Sequence, residues 1–252
     1  MAEKKTPTAS ARKSRAAASP ETATPRRSLG RRVVIWTLRG LAGVAGFFLL
    51  LILLFSFVNP PTNLYQMSES ARLGGIDRRW VDWDEIAPVV GRSVVAAEDA
   101  NFCLHWGFDM GAIRAAVAQG GNRGASTISQ QVVKNVFLWH GRSWMRKAME
   151  AVLTPVVETI WSKQRILEVY LNIAEFGEGI FGIEAAAQHN FGIPARSLNA
   201  TQSARLAAVL PDPKRRNAAQ PGPFVRKRAV QIISGAETIR VDGRSACFDG
   251  RN

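Results

Sequence analysis

Two adjacent carboxylates, Glu98 and Asp99, stand at the end of an apolar, helix-like run over residues 86–97. Burial alone does not favour an acidic pair at the end of a core segment. A carboxylate beside apolar surface can serve as a general base, because desolvation raises its pKa. The pair can equally finish the helix and cap the next turn, so residues 97–109 by themselves leave both interpretations open.

A second candidate cluster covers residues 124–135, behind a glycine-rich loop. Ser126 is a suitable N-cap for the helix that follows. Four polar side chains of that helix lie three or four residues apart and share one face: Thr127, Gln130, Gln131 and Lys134. A polar stripe with a cation at its far end suits an oxygen-rich, anionic ligand. The alternative is a solvated helix face, but an uncharged Gln pair is less typical of such faces than Glu and Lys.

A third cluster combines cations with a carboxylate. Arg146 and Lys147 precede Glu150 by four and three residues, so the three side chains can meet on one helix face, and Arg142 lies one turn earlier. One interpretation is a salt-bridge ladder, which stabilises by only a few tenths of a kcal/mol per exposed pair. The other is a phosphate-binding site in which the carboxylate orders the cations.

These clusters are predicted to lie on an all-α scaffold of about 190 residues. Alternating strand patterns and internal repeats are absent from the sequence, and Gly and Pro separate the helical segments. Apolar residues recur at helical spacing over residues 86–97, 110–118, 128–138, 144–161, 166–173, 183–189, 201–209 and 224–238.

The N-terminal part predicts a membrane anchor. Residues 1–32 carry +7 of the net charge of +13 and have the composition of a disordered tail. Residues 40–58 contain no charged side chain, and a helix of that length spans roughly 28 Å, close to the ~30 Å hydrocarbon core. A transmembrane helix over residues 33–58 is therefore expected, with the N-terminus in the cytoplasm. The basic tail then faces the membrane surface, and nucleic acid is not expected as a partner.

The cysteines and histidines offer little metal or redox chemistry. Cys103 and Cys247 can form a disulfide outside the cytoplasm, but Cys103, within an apolar turn, is predicted to be a small buried hydrophobe instead. The three histidines, at positions 105, 140 and 189, lack the spacing of metal ligands. No metal site is predicted.

Four motifs in order give a specific resemblance over about residues 75–240. They are Glu-Asp-x-x-Phe-x-x-His-x-Gly-Phe-Asp (98–109), Gly-x-Ser-Thr-Ile-x-Gln-Gln-x-x-Lys-Asn (124–135), Arg-Lys-x-x-Glu (146–150) and Lys-x-x-Ile-Leu-Glu-x-Tyr-Leu-Asn (163–172). The chain resembles the peptidoglycan glycosyltransferase family. The resemblance implies a lysozyme-like domain over residues 75–252, preceded by a linker over residues 59–74. It also implies a monofunctional enzyme, because no transpeptidase motif follows the anchor.

The resemblance implies the polymerisation of lipid II, a lipid-linked disaccharide–pentapeptide, into linear glycan strands. Glu98 would take the proton from the 4-hydroxyl of the acceptor's N-acetylglucosamine. That oxygen would attack C1 of the donor's N-acetylmuramic acid with inversion, and undecaprenyl diphosphate would leave. A diphosphate leaves without a proton, so cations can replace the general acid that a glycosidase needs.

The resemblance also implies roles for the other site residues. Glu150 is the second essential carboxylate, and Lys134 and Arg142 contact the diphosphate. Further substrate-binding positions are Ser126, Gln130, Gln131, Arg146, Lys147 and Asp99, the last of which can instead stabilise its loop. The motif over residues 163–172 is expected to form a scaffold helix beneath the site.

No cofactor is required, although Mg or Mn can accompany the diphosphate. The expected partners are lipid II, the growing strand, the membrane and proteins of cell-wall synthesis or division. The protein is expected at the inner membrane, with the catalytic domain in the periplasm.

A membrane-anchored lysozyme-like hydrolase and a glycan-binding scaffold are the alternative functions. The cations at positions 134 and 142 count against the hydrolase, and the carboxylates at 98 and 150 count against the scaffold.

Overall fold

The computed structural model describes residues 1–2, 29–120, 124, 126–141 and 143–250. The chain divides into two compact units, Met1–Val44 and Ala45–Asn252. Helix α1 (Leu29–Phe55) begins in the first unit and ends in the second. Among the helices that the structure describes, α1 alone is long and apolar enough to cross a membrane. It starts and ends slightly before the predicted bounds of 33–58.

The second unit is mostly helical, which confirms the all-α prediction. Each of the eight helices expected from periodicity forms, and their ends agree with the predicted ends to within three residues. The eight expected helices are α3 (Pro88–Glu98), α4 (Met110–Ala118), α5 (Ile128–Phe137), α6 (Trp144–Ile160), α7 (Lys163–Ile173), α8 (Ile183–Phe191), α9 (Ala200–Val209) and α10 (Pro223–Val241). The unit also contains α2 (Leu64–Leu73), α11 (Ala246–Asp249) and short 3₁₀ turns at Trp83–Glu85 and Ala195–Ser197, which were not predicted.

A small three-stranded sheet was not predicted. Strands β1 (Asp77–Arg78), β2 (Glu175–Gly177) and β3 (Ile180–Phe181) pair in the order β1-β3-β2, with β1 parallel and β2 antiparallel to β3. Strands of two or three residues are too short to show a period of two in the sequence. The chain leaves β3 at Gly182, whose φ of +88° and close approach to the Asn172 carbonyl exclude a side chain.

The segment 59–74, predicted as a linker, is instead part of the folded unit, because it contains α2. The side chain of Asn63 caps this helix by accepting a hydrogen bond from the backbone N–H of Gln66 at 2.9 Å. Gln66 and Glu69 are buried. The helix is largely polar, and its apolar residues Leu64, Met67 and Leu73 are exposed, so it gave no core-facing apolar pattern.

Helix α7 lies at the centre of the core, where Ile166, Leu167 and Leu171 are fully buried. Its last polar residue, Asn172, accepts a hydrogen bond from the Val81 backbone N–H at 2.8 Å and donates one to the Val81 carbonyl at 2.9 Å. Helices α3, α9 and α10 pack together, and α5 packs against α6 and α7. The core thus fixes the C-terminal end of α3 and the whole of α5.

Cys103 and Cys247 form a disulfide, so the prediction of Cys103 as an unbonded hydrophobe is wrong. The two cysteines are 144 residues apart, and such a contact is not readable from spacing. The bond ties the segment between α3 and α4 to α11.

Candidate active site

Glu98 is the last residue of α3 and is half-buried. Its Oε2 accepts a hydrogen bond from Nε2 of Gln131 on α5 at 2.9 Å. Burial raises the pKa of Glu98, and the negative charge of Asp99 adds to this; the Gln131 hydrogen bond and the positive charges of Arg228 and Lys134 oppose it. A carboxylate with a raised pKa is well suited to accept a proton.

Asp99 is buried, and both of its carboxylate oxygens bind other parts of the chain. Oδ1 lies 2.8 Å from Nε2 of His105, and Oδ2 accepts the backbone N–H of Ile128 at 3.0 Å. Ile128 is the first residue of α5. Of the two roles considered for Asp99, this geometry favours stabilisation of the loop over contact with substrate.

Thr127, and not Ser126, is the N-cap of α5. Thr127 Oγ1 accepts the backbone N–H of Gln130 at 3.2 Å, and Gln130 Oε1 accepts the backbone N–H of Thr127 at 3.1 Å. Thr127 Oγ1 also donates to the Gly107 carbonyl at 2.7 Å. The predicted polar stripe is therefore divided, since Thr127 and Gln130 are buried in the cap. Ser126 is exposed, and its substrate-binding role stays a prediction.

Lys134 follows Gln131 by three residues on α5 and is partly buried. Burial lowers its pKa, and the nearby cations Arg146 and Lys147 lower it further, whereas Glu150 and Glu98 raise it. Lys134 therefore lies within electrostatic range of both carboxylates that the sequence singled out. Lys134 belongs to the second cluster and interacts electrostatically with Arg146, Lys147 and Glu150 of the third cluster.

Glu150 is only 2 % exposed and binds two cations of its own helix. Oε2 accepts a hydrogen bond from Arg146 at 2.7 Å, and Oε1 accepts one from Lys147. Arg146 also donates to the Gly141 carbonyl at 3.0 Å. The cluster expected around Glu150 thus forms among these residues, and Arg142 lies outside the described residues.

A cavity of about 180 Å³ adjoins α5, and Gln131, Lys134 and Asn135 line one wall. Three further polar residues that line it, Tyr65, His140 and Glu175, were not predicted from the sequence. The hydroxyl of Tyr65 donates to Glu175 at 2.6 Å, and the Tyr65 ring stacks on His140 with centroids 3.9 Å apart. Tyr65, His140 and Glu175 all lie outside the segments with a helical pattern, so no sequence signal placed them here.

Two further residues beside Glu98 were not predicted. Arg228 of α10 donates to the Ala97 carbonyl at 3.0 Å, so it holds the last turn of α3 and brings a positive charge to the site. Tyr170 of α7 is buried, and its pKa lies well above the ordinary value because of burial and the charges of Glu98 and Asp99. Both contacts join segments far apart in sequence.

Among the residues that the structure describes, no group of three or more His, Cys, Asp or Glu side chains is arranged to hold a metal ion. The carboxylates nearest the site, Glu98 and Glu150, are engaged with Gln131 and with two cations, respectively.

A mostly helical domain with a half-buried carboxylate within electrostatic range of Lys134 fits the glycosyltransferase class that the motifs resemble. A family model described as transglycosylase matches residues 66–237. This chain belongs to the transglycosylase family.

Similar proteins agree with this assignment. The chain is 57% identical to a biosynthetic peptidoglycan transglycosylase of Jannaschia sp. (strain CCS1) over 234 residues, which cover 93% of this chain and 98% of the relative. It is 49% identical to the protein of that name in Cronobacter sakazakii (86% and 95% covered) and 46% identical to the one in Caulobacter vibrioides (78% and 87% covered).

Proposed function

We propose that this peptidoglycan transglycosylase polymerises lipid II into linear glycan strands, with Glu98 as the general base. The observation that supports this most directly is the placement of Glu98. It is a carboxylate with a raised pKa, held by Gln131 and close to Lys134, whose charge also interacts with Glu150. We therefore assign the role of base to Glu98 and the role of anion-binding group to Lys134.

In the proposed reaction, Glu98 accepts the proton of the acceptor's 4-hydroxyl while that oxygen forms a bond to C1 of the donor's N-acetylmuramic acid. The bond between C1 and the diphosphate oxygen breaks, and its electron pair leaves with the undecaprenyl diphosphate. Attack from the face opposite the leaving group inverts C1. Lys134 and, more distantly, Arg146 and Lys147 stabilise the charge on the leaving diphosphate. Arg142 shares this role.

Glu150 keeps these cations in position, because it binds Arg146 and Lys147 from a buried site. Gln131 orients Glu98, and Gln130 shapes the helix start that presents Gln131. Ser126, exposed at the entrance of α5, is proposed to contact the donor or the acceptor sugar.

We also propose that α1 crosses the inner membrane once, with the N-terminus in the cytoplasm and the catalytic domain in the periplasm. The basic composition of residues 1–32 favours this orientation. The disulfide is typical of an oxidising compartment. Trp144 and Met145 are 91% and 67% exposed at the start of α6, as expected of side chains that contact a lipid surface.

We propose that a divalent cation such as Mg or Mn binds to the substrate's diphosphate and not to a preformed site on the protein. Chelation with EDTA should therefore lower the rate without changing the thermal stability of the substrate-free protein. A loss of stability on chelation would indicate a structural metal site and contradict this proposal.

The test of the proposed function is incubation of the purified full-length protein with fluorescently labelled lipid II. We expect labelled glycan strands and release of undecaprenyl diphosphate. Finished cell wall serves as the control substrate, and we expect no soluble fragments from it. Fragment release without polymerisation would support the lysozyme-like alternative and overturn the proposal.

A further inference from the structure

A second cavity, of about 360 Å³, lies where the chain runs from α9 to α10. The consecutive cations Lys214, Arg215 and Arg216 line one side of it. Glu178, in the turn between β2 and β3, is the carboxylate among its lining residues. None of the residues that line this cavity was given a role in the reaction described above.

The charges of the cavity are only partly balanced. Lys214 pairs with Glu69 at 2.9 Å, and Glu178 pairs with Arg72 at 2.8 Å. Arg216 lies over the ring of Phe224, 4.2 Å from its centroid, and has no carboxylate partner among the described residues. Arg215 is exposed and makes no ion pair within the described ranges. The cavity therefore carries an excess of positive charge, and the exposed guanidinium of Arg215 is accessible to a ligand.

The cavity adjoins the candidate active site. Pro213 lines it and also lines the 180 Å³ cavity that contains Gln131 and Lys134. Lys214, next in the chain, lies 5.6 Å above the ring of Tyr65, which belongs to the wall of that smaller cavity. A substrate held at Lys134 can thus extend past Pro213 into the cationic cavity.

We propose that this cavity binds the carboxylates of the peptide that the donor sugar carries, with Arg215 as the principal contact. The inference rests on the proposed function, because that function supplies a donor with a pentapeptide. The peptide is attached to the same muramic acid that bears the diphosphate. Five residues reach at most about 17 Å when extended, so a peptide that starts near Lys134 can span to a neighbouring cavity. An arginine fork binds a carboxylate through two parallel hydrogen bonds.

The experiment compares two labelled substrates with the full-length protein in zwitterionic vesicles: lipid II, and the same lipid-linked disaccharide without its peptide. Arg215→Glu should lower kcat/KM for lipid II roughly two- to fivefold, because an accessible ion pair contributes up to about 1 kcal/mol. Turnover of the peptide-free substrate should change less than twofold. The loss on lipid II should shrink at high salt, because exposed charges are screened.

Lys227→Glu is the matched control, since Lys227 is an exposed cation on α10 outside this cavity; it should leave both rates unchanged. An equal loss on both substrates in Arg215→Glu, as contact of Arg215 with the diphosphate that both substrates carry would cause, overturns the inference. No loss on either substrate overturns it as well. Failure of the unaltered protein to polymerise lipid II is a different result, which contradicts the proposed function itself.

Discussion

Gln131 of α5 donates a hydrogen bond to Glu98 at the end of α3, with 2.9 Å between Nε2 and Oε2. The residue after Glu98, Asp99, accepts the first backbone N–H of the same helix α5. Two adjacent acidic residues therefore hold α5 at two points, one at its start and one a turn later. Asp99 sets the position of the helix, and the helix in turn sets the direction of Glu98.

Replacement of Gln131 with alanine should move the acidic limb of the pH–rate profile to higher pH. The Gln131 amide stabilises the charged form of Glu98 and lowers its pKa, so its loss lets burial raise the pKa further. A base must be deprotonated to act, and activity would then appear only at higher pH. The profile of kcat/KM measures this, with the exposed Gln220→Ala as the control. An unshifted limb would show that Glu98 is not the titrating base.

Lys134→Ala should weaken the binding of the donor more than it weakens the binding of a donor analogue that lacks the diphosphate. One hydrogen bond between charged groups contributes about 1.5–3 kcal/mol, equivalent to roughly a ten- to 150-fold loss in kcat/KM. Arg142→Ala is expected to act in the same direction. Competition assays with both ligands measure the difference. Equal losses for the two ligands would contradict the diphosphate assignment.

Asp99→Asn should destabilise the protein by about 1–3 kcal/mol, or several degrees in Tm. The new amide cannot accept from both His105 and the Ile128 backbone N–H, so one buried group loses its partner. Thermal unfolding measures this, with Asp82→Asn on the exposed surface as the control. An unchanged Tm would show that Asp99 does not stabilise the position of α5. Asp99 would then again be a candidate for substrate binding.

The double substitution Cys103→Ser and Cys247→Ser should lower the free energy of unfolding by roughly 2–4 kcal/mol. A crosslink between residues 144 apart restricts the unfolded chain strongly. Unfolding of the unsubstituted protein under reducing conditions should give the same decrease. If reduction has no effect on stability, the disulfide does not form in the folded protein.

Periodicity predicted the helices whose apolar residues face the core, and α4 was predicted with both ends correct. It did not predict α2, because the side chains that this helix buries, Gln66 and Glu69, are polar, whereas its larger apolar residues are exposed. The short strands β1 and β3 depend on pairing between residues about 100 positions apart, for example Asp77 with Ile180. Local patterns contain no information on such partners.

For the site, too, the sequence predicted contacts within one helix but not contacts between distant segments. Motif spacing placed Arg146 and Lys147 beside Glu150, since all three belong to one helix. The contact between Glu98 and Gln131 joins two motifs 33 residues apart and followed only from the three-dimensional packing. Arg228 was missed for the same reason, because only the docking of α10 on α3 brings it to Ala97.

The central claim is that Glu98 removes the acceptor's proton, and Glu98→Gln tests it most directly. The substitution keeps the size of the side chain but removes its ability to accept a proton at neutral pH. Its rate of glycan formation from labelled lipid II should fall to the background level, while its Tm stays near that of the unaltered protein. Polymerisation at the unaltered rate by a folded Glu98→Gln protein would contradict the assignment of the base.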